Sequence, residues 1–369
     1  MQVDFEHRLY TGDDVIAIGM VDLENHDQWI GLGESRAWSW QQGCMLQWRP
    51  GSDHEILWND RDGDRFVCRL LDIRTRQVRT LPKAIGTISP CGRFALCEDF
   101  NRIWSFRPGY AYAGIPDPCA QEAAPSETGV WRMDLDTGDV DQIVTVANLV
   151  RIPYPGQTSD DRHYVNHLAW SPSGERFLMF NRWDGNGQPT RVFTAASDGS
   201  DLRLLSAHGA SHWTWRDAEH VLIWAEGAYR LYRDDGSGEP IETVWEHPNG
   251  HQTYVPGTDN EWVLTDTYPQ GEQSQQELCL YHLPSCRKVV LASLDAPPEY
   301  RGEWRCDLHP RLNRKRHCGV HRAGWGVPRS SPPRRALSTA RGACPNGPEV
   351  GGTPRSSDHV ALFPHFSQP

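Results

Sequence analysis

The stretch LAWSPSGERFLMF, residues 168–180, decides the fold. An apolar strand enters a turn of Ser, Pro and Gly and leaves as a second apolar strand. The same phrase returns as LQWRPGSDHEILW (46–58), TISPCGRFALC (87–97), WTWRDAEHVLIWA (213–225) and TYVPGTDNEWVLT (253–265). The recurrences fall about forty residues apart, with one gap about twice that length. A forty-odd-residue period of short strands is the signature of a β-propeller blade. An alternating hairpin follows each phrase: VCRLLDIRTRQVRTL from Val67, VWRMDLDTGDVDQIV from Val130, RVFTAASDGSDLRLL from Arg191, YRLYRDDGSGEPIETV from Tyr229 and LCLYHLPSCRKVVLA from Leu278. Each is strand, Asp/Gly/Ser turn, strand. The expected fold is therefore all-β, a nominally seven-bladed β-propeller whose last blade is truncated.

The doubled gap holds FRPGYAYAGIPDPCAQEAAPSE from Phe106. Rich in Pro, Ala and aromatics, it reads as an insertion loop over residues 106–128 that crosses one face, either as a plain lid or as part of substrate access. The propeller is expected to span residues 1–314. From residue 315 the chain is dense in Arg, Pro, Gly and Ser, without alternation or hairpins, a composition that cannot bury enough surface to fold. The break falls inside a blade-opening phrase. Residues 315–369 are accordingly expected to be a disordered tail or the product of a frame shift near Arg314.

The 369 residues carry a formal net charge of −11, which argues against nucleic acid or an anionic membrane as the main partner. A local cluster of Arg, His or metal can still attract an acidic small molecule. The first residues show no secretory signal, and no stretch is long enough to span a membrane. Ten cysteines occur without paired spacing, and Cys44, Cys68, Cys91, Cys97 and Cys279 read as buried free thiols. These features place the chain in a reducing cytoplasm. Most of the 16 tryptophans are expected to plug the gaps between blades. No GxSxG, P-loop or dinucleotide-binding glycine pattern occurs in a suitable context.

Histidines recur where blades open. His163 and His167 lie in HYVNHLAWSP, His212 in GASHWTWRD, His251 in NGHQTYVPG and His309 in WRCDLHPR. Equivalent positions of successive blades converge on one axis, so His167, His212, His251 and His309 are candidates for one pocket. Asp307 and His309 are two apart and share a face of a strand. With His251 they form a candidate divalent-metal set of carboxylate and imidazole, suited to Mn²⁺, Fe²⁺ or Zn²⁺. Arg305 and Arg311 flank the pair, Arg182 closes FNRW one strand beyond His167, and Arg binds carboxylates bidentately, which suits a uronate ligand.

VNHLAWSPSGERFLMFNRW (165–183), GASHWTWRD (209–217), NGHQTYVPG (249–257) with VLTDTYP (263–269), and GEWRCDLHPR (302–311) resemble the oligogalacturonate lyase family and its TolB- and WD40-like propeller relatives. The resemblance covers roughly Trp38 to Arg314. It implies a metal-dependent lyase that cleaves short galacturonate oligomers by β-elimination, with Mn²⁺ held by histidines and a glutamine. His251 and His309 match metal histidines, His212 matches the general base, and His167 matches a further channel histidine. Two positions depart from the pattern: Asp307 replaces a histidine, and Trp304 stands where the glutamine is expected. The resulting assignment takes His212, His167 and Arg182 as catalytic. Arg305, Arg311 and His163 are assigned to substrate, and His251, Asp307 and His309 to metal. The expected partner is a small acidic oligosaccharide. The rival readings are a non-catalytic scaffold and a metal enzyme acting on another sugar acid.

Overall fold

The structure, a computed structural model, describes residues 9–22, 25–154, 158–184, 189–207, 209–297, 301–305, 307–312, 318–320 and 360–365. The phrases and hairpins of the sequence become antiparallel sheets. Residues 47–81, 87–145, 163–206, 210–246 and 253–295 each form one four-stranded sheet with its strands in chain order. The third is typical: His163–Trp170, Arg176–Trp183, Thr190–Ala196 and Arg203–Ser206. Each phrase supplies a blade's first two strands, and the hairpin after it supplies the last two. This is the blade arrangement of a β-propeller. A three-stranded sheet, whose central strand is Ile16–Asp22, and a two-stranded sheet formed by Pro310–Leu312 and Cys318–Val320 complete the described set.

The doubled gap contains one blade rather than two. Residues 98–128 interrupt the second blade between its second and third strands, Phe94–Cys97 and Gly129–Asp134. The segment begins as a short helix, Phe100–Phe106, followed by a single turn, Pro108–Tyr110. Arg102, fully buried in that helix, fastens the insertion. Its guanidinium donates to the Asp117 carboxylate at 3.1 Å, to the carbonyls of Cys119 and Glu122 at 2.8 Å each, and to the His163 carbonyl at 2.6 Å.

The apolar core lies between neighbouring blades. Leu57, Cys68 and Leu70 of the first blade pack with Ala95, Cys97 and Met133 of the second. Leu178, Phe180 and Val192 of the third pack with Val221, Ile223 and Ala225 of the fourth. Tryptophans join neighbouring sheets as expected: Trp58 Nε1 donates to the Glu34 carbonyl and Trp215 Nε1 to that of Ala169, while Trp224 Nε1 donates to the His247 carbonyl just past its own blade's last strand. Cys44, Cys68, Cys97, Cys119 and Cys279 are free and buried. Cys91 departs from expectation and is exposed, because it sits in the Ser-Pro-Cys-Gly turn and not in the strand that follows.

Within residues 315–369 the described residues include two strands. Cys318–Val320 pairs with Pro310–Leu312, and Val360–His365 pairs antiparallel with Ile16–Asp22. The latter covers an otherwise open edge of backbone donors and acceptors. The remainder of that segment lies outside the described residues. No helix among the described residues is long and apolar enough to cross a membrane.

Replacing Arg102 with Met strands the buried Asp117 charge and frees three carbonyls. Urea unfolding is expected to show a loss of about 3–5 kcal/mol. An unchanged midpoint would mean that the insertion is not anchored through Arg102.

Candidate active site

The histidines sit where the first strands of successive blades lose regular pairing. In the third blade the register shifts between Asn166 and Ala169, which places His167 in a bulge with φ of 58°. In the fourth the shift falls between Ala210 and Trp213, around His212. His251 precedes Thr253–Tyr254, and His309, with φ of 44°, precedes Pro310–Leu312. Bulges re-aim side chains, and a left-handed backbone at a non-glycine residue costs about 1–3 kcal/mol. Two of the four histidines carry that strain.

The result is a row of imidazoles. The rings of His212 and His251 are 4.2 Å apart, and those of His251 and His309 are 3.9 Å apart. His167 packs one step away, on Trp213 at 4.9 Å, with Gln42 Nε2 donating to its Nδ1 at 3.4 Å. Asp266, buried at the end of Trp262–Asp266, ties the row together. It accepts from the His251 amide at 2.6 Å, from His251 Nδ1 at 3.0 Å and from the His309 amide at 3.1 Å. Gly250 permits this approach, because a Cβ there would lie 1.8 Å from the Asp266 carbonyl oxygen. With Nδ1–H given to Asp266, His251 presents the lone pair of Nε2.

Ligand atoms of His251, Asp307 and His309 lie within 4.8 Å of one another. Burial, opposed by Asp307, lowers the His251 pKa to about 4, and burial together with His251 lowers that of His309 to about 3. Both imidazoles are therefore neutral near pH 7, the state in which imidazole binds a metal. The donor set fits a divalent cation of intermediate hardness. Asp307 accepts from Arg305 Nε at 2.6 Å and from Arg305 Nη2 at 2.8 Å, and its two oxygens retain further lone pairs for a cation. Trp304's side chain lies outside the described residues.

His212 has a defined tautomer. Asn249 Nδ2 donates to Ser211 Oγ at 2.8 Å, which turns Asn249 Oδ1 toward His212 Nδ1, also at 2.8 Å. His212 Nδ1 is thus the donor, and its Nε2 is the free base, 3.3 Å from the Tyr268 hydroxyl. Burial holds the His212 pKa well below its usual value, with His251 adding to the effect and Asn249 opposing it.

Cations surround the row. Arg182 is buried, its Nε has no hydrogen-bond partner, and burial followed by Arg107 lowers its pKa to about 10. Arg311 keeps solvent-exposed area, yet desolvation lowers its pKa while Asp266 opposes. Arg305 stacks on Tyr268 at 4.2 Å. Among the described residues, no carboxylate pairs with Arg107, Arg182 or Arg311.

Of the sequence candidates, His167, His212, His251, Asp307, His309, Arg182, Arg305 and Arg311 share this neighbourhood. His163 does not. Its ring packs on Trp183 at 5.0 Å beside the insertion anchor, and burial lowers its pKa to about 4. Asp266, Asn249, Tyr268 and Arg107 were not singled out in the sequence. A buried acid closing the strand run VLTD was the available signal for Asp266. A separate cavity of about 350 Å³, lined by Val150, Arg151, Tyr154 and Asp161 among others, shares no residue with the site.

No protein-family model matches the chain, and no curated protein matches it. Solved structures do. An oligogalacturonate lyase in complex with manganese is 11% identical, with a TM-score of 0.52, over 82% of this chain and 76% of that one. An oligogalacturonate lyase from Vibrio parahaemolyticus is 12% identical, with a TM-score of 0.49, over 83% and 78%. TolB from Acinetobacter baumannii is 14% identical, with a TM-score of 0.39, over 76% and 63%. At these identities the first likeness establishes a shared fold.

If Asp266 orients the ligands, Asp266→Asn weakens Mn²⁺ binding about 10–100-fold in calorimetry. Equal affinity for the parent and the variant would remove Asp266 from the site's framework.

Proposed function

We propose that the chain is a metal-dependent lyase that cleaves oligogalacturonate or a related uronate oligomer by β-elimination, on a propeller of seven blades. The observation that carries this reading is the juxtaposition of a metal-ready triad with a free-base histidine among unpaired guanidiniums. His251, Asp307 and His309 would hold the cation; Mn²⁺ fits, and the manganese-bound neighbour of the same fold makes it the first choice. When bound, such a cation stabilises the negative charge that develops on a uronate carboxylate as the adjacent proton leaves.

The chain's own residues supply the rest. Arg182, buried without an acid partner, is placed to bind the carboxylate, and the charge it would neutralise is the one that grows in the transition state. His212 Nε2 accepts the proton from the carbon next to that carboxylate. Its Nδ1–H, held on Asn249, keeps the ring fixed as the proton arrives. The Tyr268 hydroxyl, 3.3 Å from the same nitrogen, marks where an oxygen of the substrate or of Tyr268 can exchange a proton. The electron pair forms the new carbon–carbon double bond, and the glycosidic oxygen departs. His167 packs as a neutral imidazole beside Arg182, its pKa lowered first by burial and then by Arg182 and Arg107.

Local charge favours this substrate class. Arg107 and Arg182 lie beside His167, and Arg305 and Arg311 beside His251, four cations against the two buried carboxylates Asp266 and Asp307 in a chain of net charge −11. A divalent metal raises the excess further.

The test is ultraviolet detection of unsaturated uronate from trigalacturonate with added Mn²⁺. The parent is expected to generate absorbance, and His212→Ala to lose at least about 100-fold of the rate. A folded, metal-loaded parent that yields no unsaturated product would exclude elimination and favour a scaffold or another sugar-acid enzyme.

A further inference from the structure

The insertion reaches the site from the second blade. Its turn, Pro108–Tyr110, is held from several sides. The Tyr10 hydroxyl lies 2.5 Å from the carbonyls of both Pro108 and Ala111, and the Gln41 amide donates to the Gly109 carbonyl at 3.2 Å. Gly109 packs against Glu303, where a Cβ would lie 2.6 Å from that side chain's own Cβ. Gln41 Nε2 meanwhile donates to the carbonyls of Glu303 and Arg305 at 2.8 and 3.0 Å. The turn and the segment carrying Arg305 and Asp307 therefore form one packed unit.

On the other side of the turn, Phe106 stacks on Tyr164 at 4.9 Å with an interplanar angle of 10°. Tyr164 is the cross-strand partner of Arg182. Arg107 follows Phe106 directly and lies over the Tyr110 ring at 3.8 Å. Its positive charge is felt by Tyr164, Arg182 and His167 alike. Two guanidiniums thus stand together with no acid between them, one of them more than nine-tenths buried and with an unpartnered Nε. Glu303, whose stem covers Gly109, makes no ion pair with Arg107 among the described residues. Like charges brought together in a desolvated place are costly unless an anion completes the set.

We propose that Arg107 and Tyr110 form, beside Arg182, a second carboxylate subsite that binds the uronate next to the one undergoing cleavage and so makes the insertion a specificity element for acidic oligomers. This rests on the uronate reading of the site above. One guanidinium serves the reacting sugar, the other serves its neighbour, and the Tyr110 ring fixes the Arg107 plane for bidentate contact. A neutral sugar, or one whose carboxyl is esterified, leaves the two neighbouring guanidiniums of Arg107 and Arg182 without an anion, so rejection follows from the same geometry that gives binding.

Calorimetry on the full, Mn²⁺-loaded chain tests this with digalacturonate and monomeric galacturonate as probes. Arg107→Gln is expected to weaken digalacturonate about 10–100-fold and galacturonate less than about threefold. Arg107→Lys, which keeps the charge but not the fork, should recover part of the loss. Circular dichroism melts confirm that both variants are folded. Equal digalacturonate affinity in parent and Arg107→Gln overturns the subsite. So does an equal loss for both probes, which would place Arg107 on the first sugar, and so does a parent that binds no digalacturonate. The ultraviolet assay run alongside separates the two ideas. Binding that depends on Arg107 without unsaturated product sinks the lyase and leaves the subsite. Product formed with no dependence on Arg107 does the reverse.

Discussion

Everything at the site depends on one buried carboxylate. Asp266 closes the second strand of the fifth blade, accepts both the amide and the ring N–H of His251, and accepts the amide of His309 from the next sheet. A carboxylate in such a place is costly to desolvate, and burial raises its pKa accordingly. The hydrogen bonds that offset this cost are the ones that set the imidazoles in line. Gly250 completes the arrangement, since no side chain fits between it and the Asp266 backbone.

Around this framework, burial acts on bases and cations in the same direction. It keeps His212, His251 and His309 neutral and makes Arg182 easier to deprotonate than an ordinary guanidinium. Neutral imidazoles are ligands and bases, and unpaired guanidiniums seek anions. A protein that is acidic overall thereby holds a local cluster of guanidiniums. The scaffold that carries it is ordinary blade packing, with apolar side chains of adjacent sheets interleaved and tryptophan N–H groups bridging to neighbouring carbonyls.

Much of the fold was legible in the chain. Each apolar strand–turn–strand phrase became an inner strand pair, and each Asp/Gly/Ser hairpin became the outer pair, because period-two alternation and turn chemistry are local properties. The histidine row was legible as repeated position. What aims it was not: the bulges at His167 and His212 are register shifts, which have no residue signature here. His163 shows the consequence. Four residues before His167 on the same strand, it faces Trp183 and the insertion anchor instead of the row. Arg107 was hidden for another reason. The insertion has no repeat to compare it with, and only its packing on Tyr164, Gly109 and Glu303 brings its cation to the site. Cys91 was expected to be buried because it borders a strand run, but it lies in the turn between Pro90 and Gly92 and is exposed.

The most direct measurement is anomalous diffraction at the manganese edge from crystals grown with Mn²⁺. The account predicts one strong peak within coordinating distance of His251 Nε2, the His309 ring and an Asp307 oxygen, beside His212. A well-ordered map with no peak there, or with the metal held elsewhere, would contradict it.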